Sequence, residues 1–362
     1  GATGGGGATD GGTGGSGGIS CTAVLLDDFG FDGGFATAQS VAVAPNGDIY
    51  VVGSAATHSV VRKGTNDGGS WTTIDDYAPG FVRPTSIAVN QQGHVFVVGY
   101  TGSGAQPMLR VSEDGASFFD SPSFYSNYTD TFLTGVASLP SGEVVVIGHS
   151  RDPGVPTLRI WQSVSDGGYW SEVPGASTTM EATGGFATAT GEIIAYGFDG
   201  MWKTRTGTVG GPWVTSEEIP GKVARSGGAT ADGSVYVVGE DQQNAWEVHR
   251  RRPDGGGWEV VDTYDAGPPD AGERSYPFGF TSYAGGFVYG GGCPYLTCAS
   301  WTLRASRDGT TWSTVDQWDA GAGQAAAVLS LATDNQNRII AVGGMTTPSG
   351  VYRWIVRRLV CN

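Results

Sequence analysis

One short pattern recurs along the chain: a turn, followed by an apolar strand that ends in glycine. Three copies read NGDIYVVG (46–53), QGHVFVVG (92–99) and SGEVVVIG (141–148). A run of small residues precedes each copy, and the final glycines lie 42 to 52 residues apart. Repetition at this period means that each unit is one supersecondary motif that packs against the next. The seven final glycines are Gly53, Gly99, Gly148, Gly197, Gly239, Gly291 and Gly343.

Seven units of about four short strands predict an all-β fold, a seven-bladed β-propeller with four-stranded blades. The composition agrees, because the 362 residues include 62 glycines and each glycine inside a helix costs about 1 kcal/mol relative to alanine. A hydrophobic content of 39% still supplies a core. We assign residues 21–362 to the propeller and residues 1–20 to a glycine-rich N-terminal arm.

The two ends of the chain predict how the ring closes. The last unit, VYRWIVRRLVCN (351–362), stops after its third strand. The missing fourth strand is at the N-terminus, where TAVLLDDFG (22–30) matches WSTVDQWDAG (312–321). We therefore expect the N-terminal strand to complete the last blade and to cover an exposed sheet edge.

Four cysteines permit three pairings, and the propeller model selects one of them. Cys21 begins the closing strand and Cys361 ends its predicted neighbour, while Cys293 and Cys298 flank one short loop. A bridge between Cys21 and Cys361 could contribute about 5 kcal/mol in the chain-entropy model. Two disulfides indicate an oxidising compartment, and hence secretion. Four reduced cysteines in a cytosolic protein are the alternative.

A second motif occupies the later half of most units, as in NDGGSW (66–71), SEDGASF (112–118) and SRDGTTW (306–312). These segments resemble the Asp-box, S-x-D-x-G-x-T-W, of sialidase-type repeats. The first two strands of each unit are also similar to the seven-bladed repeats of secreted bacterial proteins. The resemblance implies a structural role, in which the carboxylate accepts backbone N–H bonds and the Trp packs between blades. The residues concerned are Asp67, Trp71, Asp114, Asp166, Trp170, Asp254, Trp258, Asp308 and Trp312.

Charge limits the partners and cofactors of the chain. A formal net charge of −15 makes nucleic acid and anionic membranes poor partners. No apolar run reaches the ~18 residues that a transmembrane segment needs. Acidic segments such as DDFGFD (27–32), DDY (75–77), DTYDAG (262–267) and DQWDAG (316–321) could hold Ca²⁺. The favoured interpretation is that they cap strand ends, with no cofactor and no metal.

Candidate site residues are expected at the mouth of the central channel, where a propeller displays its loops. The segment FVRP (81–84) resembles the Phe-Arg-Ile-Pro element of sialidases. Those enzymes use three arginines, a Tyr–Glu pair and an acid/base Asp, although their ring has six blades. The resemblance implies Arg83 as the first arginine, with Arg225 and Arg274 as the others and Glu181 or Tyr276 in the pair. Further residues expected at the mouth are Tyr100, His149, Phe198 and Glu240.

The glycine-rich arm suggests self-assembly, because glycine allows close backbone approach. An ordered arm could add as a strand to a neighbouring copy, and a contact that does not close builds a filament. Folding back onto its own propeller is the alternative. The arm glycines are Gly4, Gly5, Gly6, Gly7, Gly11, Gly12, Gly14, Gly15, Gly17 and Gly18.

We thus predict a secreted, non-enzymatic structural or adhesive propeller, which assembles with copies of itself into a filament or surface array. Surface glycans are a further candidate partner. The alternative function is a glycan-binding or sialidase-like glycan-cleaving propeller that uses the channel mouth. An enzymatic role therefore stays open, although the residues favour a non-enzymatic one.

Overall fold

The computed structural model describes residues 19–31, 34–65, 67–102, 106–121, 124, 127, 128, 130–151, 154–163, 167–241, 245–265, 275–292, 300–319 and 324–362. These residues form 28 β-strands, and most of them follow one order: an inner, a second, a third and an outer strand. We call each such run a group. Within these ranges, no helix has the length and hydropathy that crossing a membrane requires.

The inner strands contact one another around a central channel, and each pairs with the second strand of its own group. The inner strands are β2 (Ala36–Val43), β6 (Val82–Val89), β10 (Thr131–Ser138), β14 (Glu181–Ala187), β18 (Lys222–Ala229), β22 (Tyr276–Tyr283) and β26 (Ala326–Thr333). The second strands are β3 (Ile49–Ala55), β7 (Val95–Thr101), β11 (Val144–Ser150), β15 (Ile193–Phe198), β19 (Val235–Asp241), β23 (Gly286–Gly292) and β27 (Ile339–Thr346).

Third and outer strands complete the groups, and all pairings are antiparallel. The third strands are β4 (His58–Thr65), β8 (Gln106–Ser112), β12 (Thr157–Ser163), β16 (Met201–Gly207), β20 (Ala245–Arg251), β24 (Ser300–Ser306) and β28 (Tyr352–Cys361). The outer strands are β1 (Cys21–Phe29), β5 (Ser70–Tyr77), β9 (Phe119–Asp120), β13 (Trp170–Glu172), β17 (Trp213–Pro220), β21 (Trp258–Asp265) and β25 (Ser313–Asp319). The second strands are buried almost throughout, so the core lies between the groups.

The prediction of seven separate four-stranded blades is wrong. Hydrogen bonding in the described residues gives five four-stranded sheets and one eight-stranded sheet. The eight-stranded sheet arises because β23 pairs with β26 at Gly292 and Ala327. Neither residue has a side chain beyond Cβ, so their backbones can approach. The N-terminal strand therefore does not close an independent last blade, and β1 instead forms one edge of the eight-stranded sheet.

The predicted bridge between Cys21 and Cys361 is confirmed. The two residues face each other where β1 pairs with β28, and their disulfide joins positions 340 residues apart. Ser20 and Asn362 add reciprocal hydrogen bonds just beyond it. The disulfide thus ties the first described strand to the end of the chain. The other predicted pair, Cys293 and Cys298, lies outside the described residues.

The recurring glycines have one physical cause, which is a β-bulge in every inner strand. Each inner strand carries one extra residue relative to its second strand, for example between Ala38 and Ser40 or between Ala224 and Ser226. At the position that ends the repeat, a Cβ would lie 1.8–2.2 Å from a carbonyl oxygen of the inner strand. Only glycine fits there. Each glycine that ends a repeat in the sequence therefore lies opposite one of seven bulges.

Ion pairs between adjacent groups form a second recurring feature. Arg62 of β4 donates two hydrogen bonds to Asp27 of β1, at 2.7 and 2.9 Å, and its guanidinium lies 4.3 Å from the ring of Phe29. Both charged side chains are nearly buried. Three more sets repeat this arrangement: Arg110 with Asp75 and Tyr77, Arg304 with Asp262 and Tyr264, and Arg357 with Asp316 and Trp318. These aspartates, predicted as strand caps or Ca²⁺ ligands, are arginine partners.

A histidine takes the arginine position in β20. His249 Nδ1 lies 2.7 Å from Glu217 of β17, and its Nε2 lies 3.0 Å from Glu247. Lys222 donates to the same Glu247 carboxylate, and the ring of Trp202 packs 4.5 Å from the imidazole. Burial alone would lower the pKa of His249, but the bonds to Glu217 and Glu247 outweigh it and raise the pKa above 6.5. One contact between groups is therefore sensitive to pH.

We predict that Gly239→Ala destabilises the protein by more than about 3 kcal/mol. The new Cβ would lie 2.1 Å from the carbonyl oxygen of Val223 and 2.4 Å from the ring of Trp202. Gly257→Ala is the matched control, because a Cβ there meets nothing within 4 Å. Chemical denaturation measures both variants, and equal effects would contradict the role of the bulge.

We predict that His249→Gln destabilises the protein most at the acidic end of a range from about pH 5.5 to 9. A histidine whose folded-state pKa is raised contributes its full stabilisation below 6.5, and that contribution is lost as the pH rises through the raised value. The expected loss at the acidic end is about 1–3 kcal/mol. Urea unfolding across the range tests this, and a loss that is constant or that grows with pH would be inconsistent with the raised pKa.

Candidate functional site

The inner-strand bulges line the mouth of the central channel, which forms a cavity of about 860 Å³. A bulge turns one extra side chain out of the sheet, and here every such side chain lines this cavity. Seven different positions of the fold thus supply a ring of side chains to one space. They are Gln39, Thr85, Thr134, Thr183, Arg225, Phe278 and Leu329.

Two threonines of this ring hold the inner strands together. The Thr85 hydroxyl donates to the carbonyl oxygen of Leu133 on the next inner strand, at 2.7 Å. Thr183 donates in the same way to the carbonyl oxygen of Ala224, at 2.6 Å. Their hydroxyls are therefore committed to the wall of the channel, and they stabilise the shape of the cavity.

Arg225 is the charged member of the ring, and a buried carboxylate fixes its position. Its Nε and Nη2 donate to Glu240 Oε1 at 3.0 and 2.7 Å. Glu240 is only 3% exposed, whereas the Arg225 side chain is 26% exposed. The guanidinium carbon lies 4.9 Å from the centre of the Tyr276 ring. Within the described residues no group accepts a hydrogen bond from Arg225 Nη1, so this donor is available at the cavity.

An aromatic cluster lines another part of the mouth. The ring of Phe132 lies 5.0 Å from Tyr100 in a T-shaped contact and 4.9 Å from His149 in a stacked one. Arg151 lies over the same Phe132 ring and forms an ion pair of 3.1 Å with Glu181. The mouth thus combines apolar ring faces with paired charges.

His149 links two adjacent groups within this cluster. Burial lowers its pKa, so the ring is neutral at pH 7. A neutral ring that lies 3.2 Å from the carbonyl oxygen of Ala182 must donate from Nδ1. This bond links β11 to the next inner strand, β14. Thr134 makes no such link, because its hydroxyl donates to the carbonyl oxygen of Ile147 in its own group. The Nε2 atom of His149 is buried without a partner in the described part of the chain.

The residues implied by the sialidase resemblance meet only in part. Arg83, Glu181, Arg225 and Tyr276 all line the cavity, whereas Arg274 lies outside the described residues. Arg83 donates to the Tyr100 hydroxyl at 3.3 Å. No hydrogen bond joins Tyr276 to Glu181 among the described contacts, because Glu181 is held by Arg151. The Tyr–Glu pair that the resemblance implies is therefore not formed by these two residues.

The turns that resemble the Asp-box differ from one another. Asp114 Oδ1 accepts backbone N–H bonds from Ser117 and Ala116 at 2.7 and 2.9 Å, and these bonds lower its pKa to about 2. Asp308 accepts two backbone bonds in the same way, while Asp254 accepts one from Gly256. Asp67 departs from the pattern.

Asp67 has a φ of 59° and accepts from Arg338 and Gln336 of another group. Its turn therefore uses the carboxylate for a contact between groups rather than for its own backbone. Asp166 lies outside the described residues.

The tryptophans of these turns also take different partners. Trp71 and Trp170 donate from Nε1 to the carbonyl oxygens of Gly68 and Gly167 in their own turns. Trp312 packs 5.2 Å from the ring of Tyr289, and Trp258 lies under the guanidinium of Arg251.

Within the described ranges, no group of three or more His, Cys, Asp or Glu side chains is arranged to hold a metal ion.

Comparison with known proteins establishes the fold only. No protein-family model matches the sequence, and no curated protein is similar to it in sequence. The structure is similar to YCF48 bound to a D1 peptide, with a TM-score of 0.62 and 14% identity over 94% of this chain and 97% of the other. A virginiamycin B lyase from Staphylococcus aureus has a TM-score of 0.60 and 11% identity, over 94% and 99% of the two chains. These similarities support a β-propeller fold.

A periplasmic gluconolactonase from Pseudomonas aeruginosa is a third similar structure, with a TM-score of 0.54 and 12% identity over 79% of this chain and 86% of the other. Of the further residues expected at the mouth, Tyr100 and His149 line the cavity, as Tyr276 does, whereas Glu240 is buried and Phe198 is not among the lining residues. Phe132, Arg151 and the threonine ring were not predicted. The sequence did contain a signal for this ring, because each repeat glycine lies opposite the bulge whose extra residue lines the cavity.

Proposed function

We propose that the protein is a secreted, non-enzymatic adhesive propeller that binds glycans at the channel mouth. The observation that carries this proposal is Arg225, which the buried carboxylate of Glu240 holds in place beside Tyr276 in an open cavity. Fixed hydrogen-bond donors beside aromatic faces suit sugars, which present both hydroxyls and apolar C–H faces. Glycan cleavage is left out of the proposal, since Glu181 is bound to Arg151 and, among the described contacts, no carboxylate is hydrogen-bonded to Tyr276.

The secreted setting is supported by the Cys21–Cys361 disulfide, because such bonds persist in oxidising compartments. We also propose that the turns around Asp114 and Asp308 are Asp-box repeats, on the strength of their carboxylate-to-backbone bonds. YCF48 is recorded with a bound peptide, and the lyase has also been crystallised with quinupristin as a catalytically inactive variant. Ligand binding by this chain is our proposal.

We predict that the protein binds members of a glycan array and that Tyr276→Ala weakens this binding by about tenfold, through loss of the ring beside Arg225. Tyr169→Ala is the matched control, because Tyr169 is 61% exposed and lies outside the cavity. Isothermal calorimetry with the best array ligand measures both variants. No binding on the array, or equal losses in the two variants, would count against the proposal.

Self-assembly through residues 1–20 is a second proposal, favoured by where the arm joins the fold. Ser20 is held by Asn362 at the end of β1, which is an edge strand of its sheet. Val24 and Leu25 of β1 are 45% and 50% exposed. An edge strand with exposed apolar side chains is a template for an added strand from a second copy.

We predict that deleting residues 1–18 abolishes assembly while leaving the monomer folded. Light scattering and negative-stain electron microscopy should show filaments or arrays of the intact chain and single particles of the shortened one. Circular dichroism checks that the shortened chain keeps its fold. Assembly of both chains to the same extent would defeat this proposal.

A further inference from the structure

We infer that the glycine-rich arm of one copy binds a second copy of this chain along the outer edge of β1, where its Asp10 carboxylate pairs with Arg358. This inference rests on the proposed self-assembly. It specifies the segment of the arm that binds and the pocket that receives it.

A pocket of about 380 Å³ opens beside β1, next to the turn that joins β4 to β5. Among the described residues β1 pairs only with β28, so its outer edge carries backbone groups that can pair with an added strand. The pocket and this edge thus form one surface. The pocket is lined by Leu25, Leu26, Asp67, Gly68, Gly69, Arg338 and Arg358.

Arg358 lines this pocket without a carboxylate partner among the described residues. Its Nη1 donates to the carbonyl oxygen of Asp67 at 2.9 Å. Its Nε is buried and has no hydrogen bond within the same part of the chain. Because a guanidinium presents a planar fork of donors, a carboxylate is the ligand that fits it best.

The other charges of the pocket are already paired. Arg338 is bound to Asp334 at 2.6 Å and to Asp67 at 3.1 Å, and Asp67 also accepts from Gln336. The Asp67 side chain is 53% exposed, so water screens its charge from a second carboxylate at Arg358. The formal charges of the two arginines and two aspartates cancel. Recognition therefore comes from directed hydrogen bonds of Arg358 and not from a general positive field.

The arm contains one residue that can supply this carboxylate. Residues 1–18 include Asp10 and no other Asp, Glu, Lys or Arg. Ala8, Thr9 and Asp10 are also the longest run without glycine in that segment. They are therefore the part of the arm whose side chains can be recognised, while the flanking glycines allow close backbone approach.

A strand added to β1 places an aspartate within reach of Arg358. Val24 faces Arg358 across the β1–β28 pair, so the two side chains lie on the same face of the sheet. Val24 is 45% exposed, which leaves room on that face. An added strand lies about 4.8 Å beyond β1, so its backbone is about 10 Å from that of Arg358. An arginine and an aspartate side chain together span this distance.

The first described residues favour a pocket on another copy. Ile19 and Ala23 pack in the cluster of Trp301, on one face of β1. Leu26 packs beside Gly68 on the other face, where the pocket lies. The chain therefore enters the fold from the face opposite its own pocket. An arm that binds a neighbour in this way makes a head-to-tail contact, which does not close.

Two substitutions test the contact, because Arg358→Gln and Asp10→Asn each remove one of its charges. Each should raise the protein concentration needed for half-maximal assembly by about tenfold, through loss of a charged hydrogen bond. Light scattering over a concentration series measures this. Glu113→Gln is the control, since Glu113 is exposed and lies outside the pocket. It should assemble as the intact chain does, and an equal effect of all three substitutions would contradict the contact.

A mixing experiment identifies the copy that accepts the arm. The chain that lacks residues 1–18 keeps the pocket, and the Arg358→Gln chain keeps the arm. At a concentration where neither assembles alone, the mixture should form pairs with one chain of each kind, as measured by analytical ultracentrifugation. A mixture that stays as single particles would show that the arm remains on its own copy, and it would overturn the inference.

These experiments separate the inference from the proposal on which it rests. Circular dichroism and thermal melting establish that each variant is folded, and if Arg358→Gln does not fold, Asp10→Asn decides the matter. Assembly that is lost on deletion of residues 1–18 but unchanged in Asp10→Asn overturns the inference and leaves self-assembly intact. An intact chain that stays single at every concentration overturns both.

Discussion

A steric constraint between neighbouring strands governs this molecule from its sequence to its site. Each second strand ends its repeat in glycine because a Cβ there would lie 1.8–2.2 Å from a carbonyl oxygen of the inner strand. That close approach accommodates the bulge, and the bulge turns an extra side chain into the channel. The glycine repeat, the shape of the inner strands and the ring of residues around the cavity are therefore one feature. Arg225 reaches the cavity because Gly239 allows its strand to bulge.

Ion pairs between adjacent groups fix the distance and orientation of the sheets around that channel. In four places an arginine of a third strand is bound by two hydrogen bonds to an aspartate of an adjacent outer strand, over an aromatic ring. These pairs are almost buried, so removing one partner would leave the other charge without compensation. Replacing both partners with apolar residues of similar volume costs much less stability. Their value lies in geometry, since a bidentate pair fixes both distance and orientation. His249 substitutes for arginine in one group and makes that contact depend on pH.

The sequence predicts the local structure and one long-range contact, the Cys21–Cys361 disulfide, but not the other long-range contacts. The glycine repeat correctly located strands such as β3 and β7. Because Arg83, Arg225 and Tyr276 occur at the inner strands of their repeats, they were expected at the channel mouth, and they do line one cavity. The merged sheet was missed, because it depends on a single backbone contact at Gly292. The aspartate–arginine pairs were also missed, since their partners lie 35 to 42 residues apart and no local pattern joins them. An aspartate followed two residues later by an aromatic residue would have been the signal.

The central claim is that a bulge presents Arg225 to a glycan at the channel mouth while the buried carboxylate of Glu240 fixes its position. A crystal structure of the protein with the best-binding array glycan tests this directly. The account predicts a sugar hydroxyl within hydrogen-bond distance of Arg225 Nη1, a sugar ring against Tyr276 or Phe278, and both Arg225–Glu240 bonds retained. Density for the sugar away from the channel mouth, or an Arg225 side chain turned away from Glu240, would contradict it.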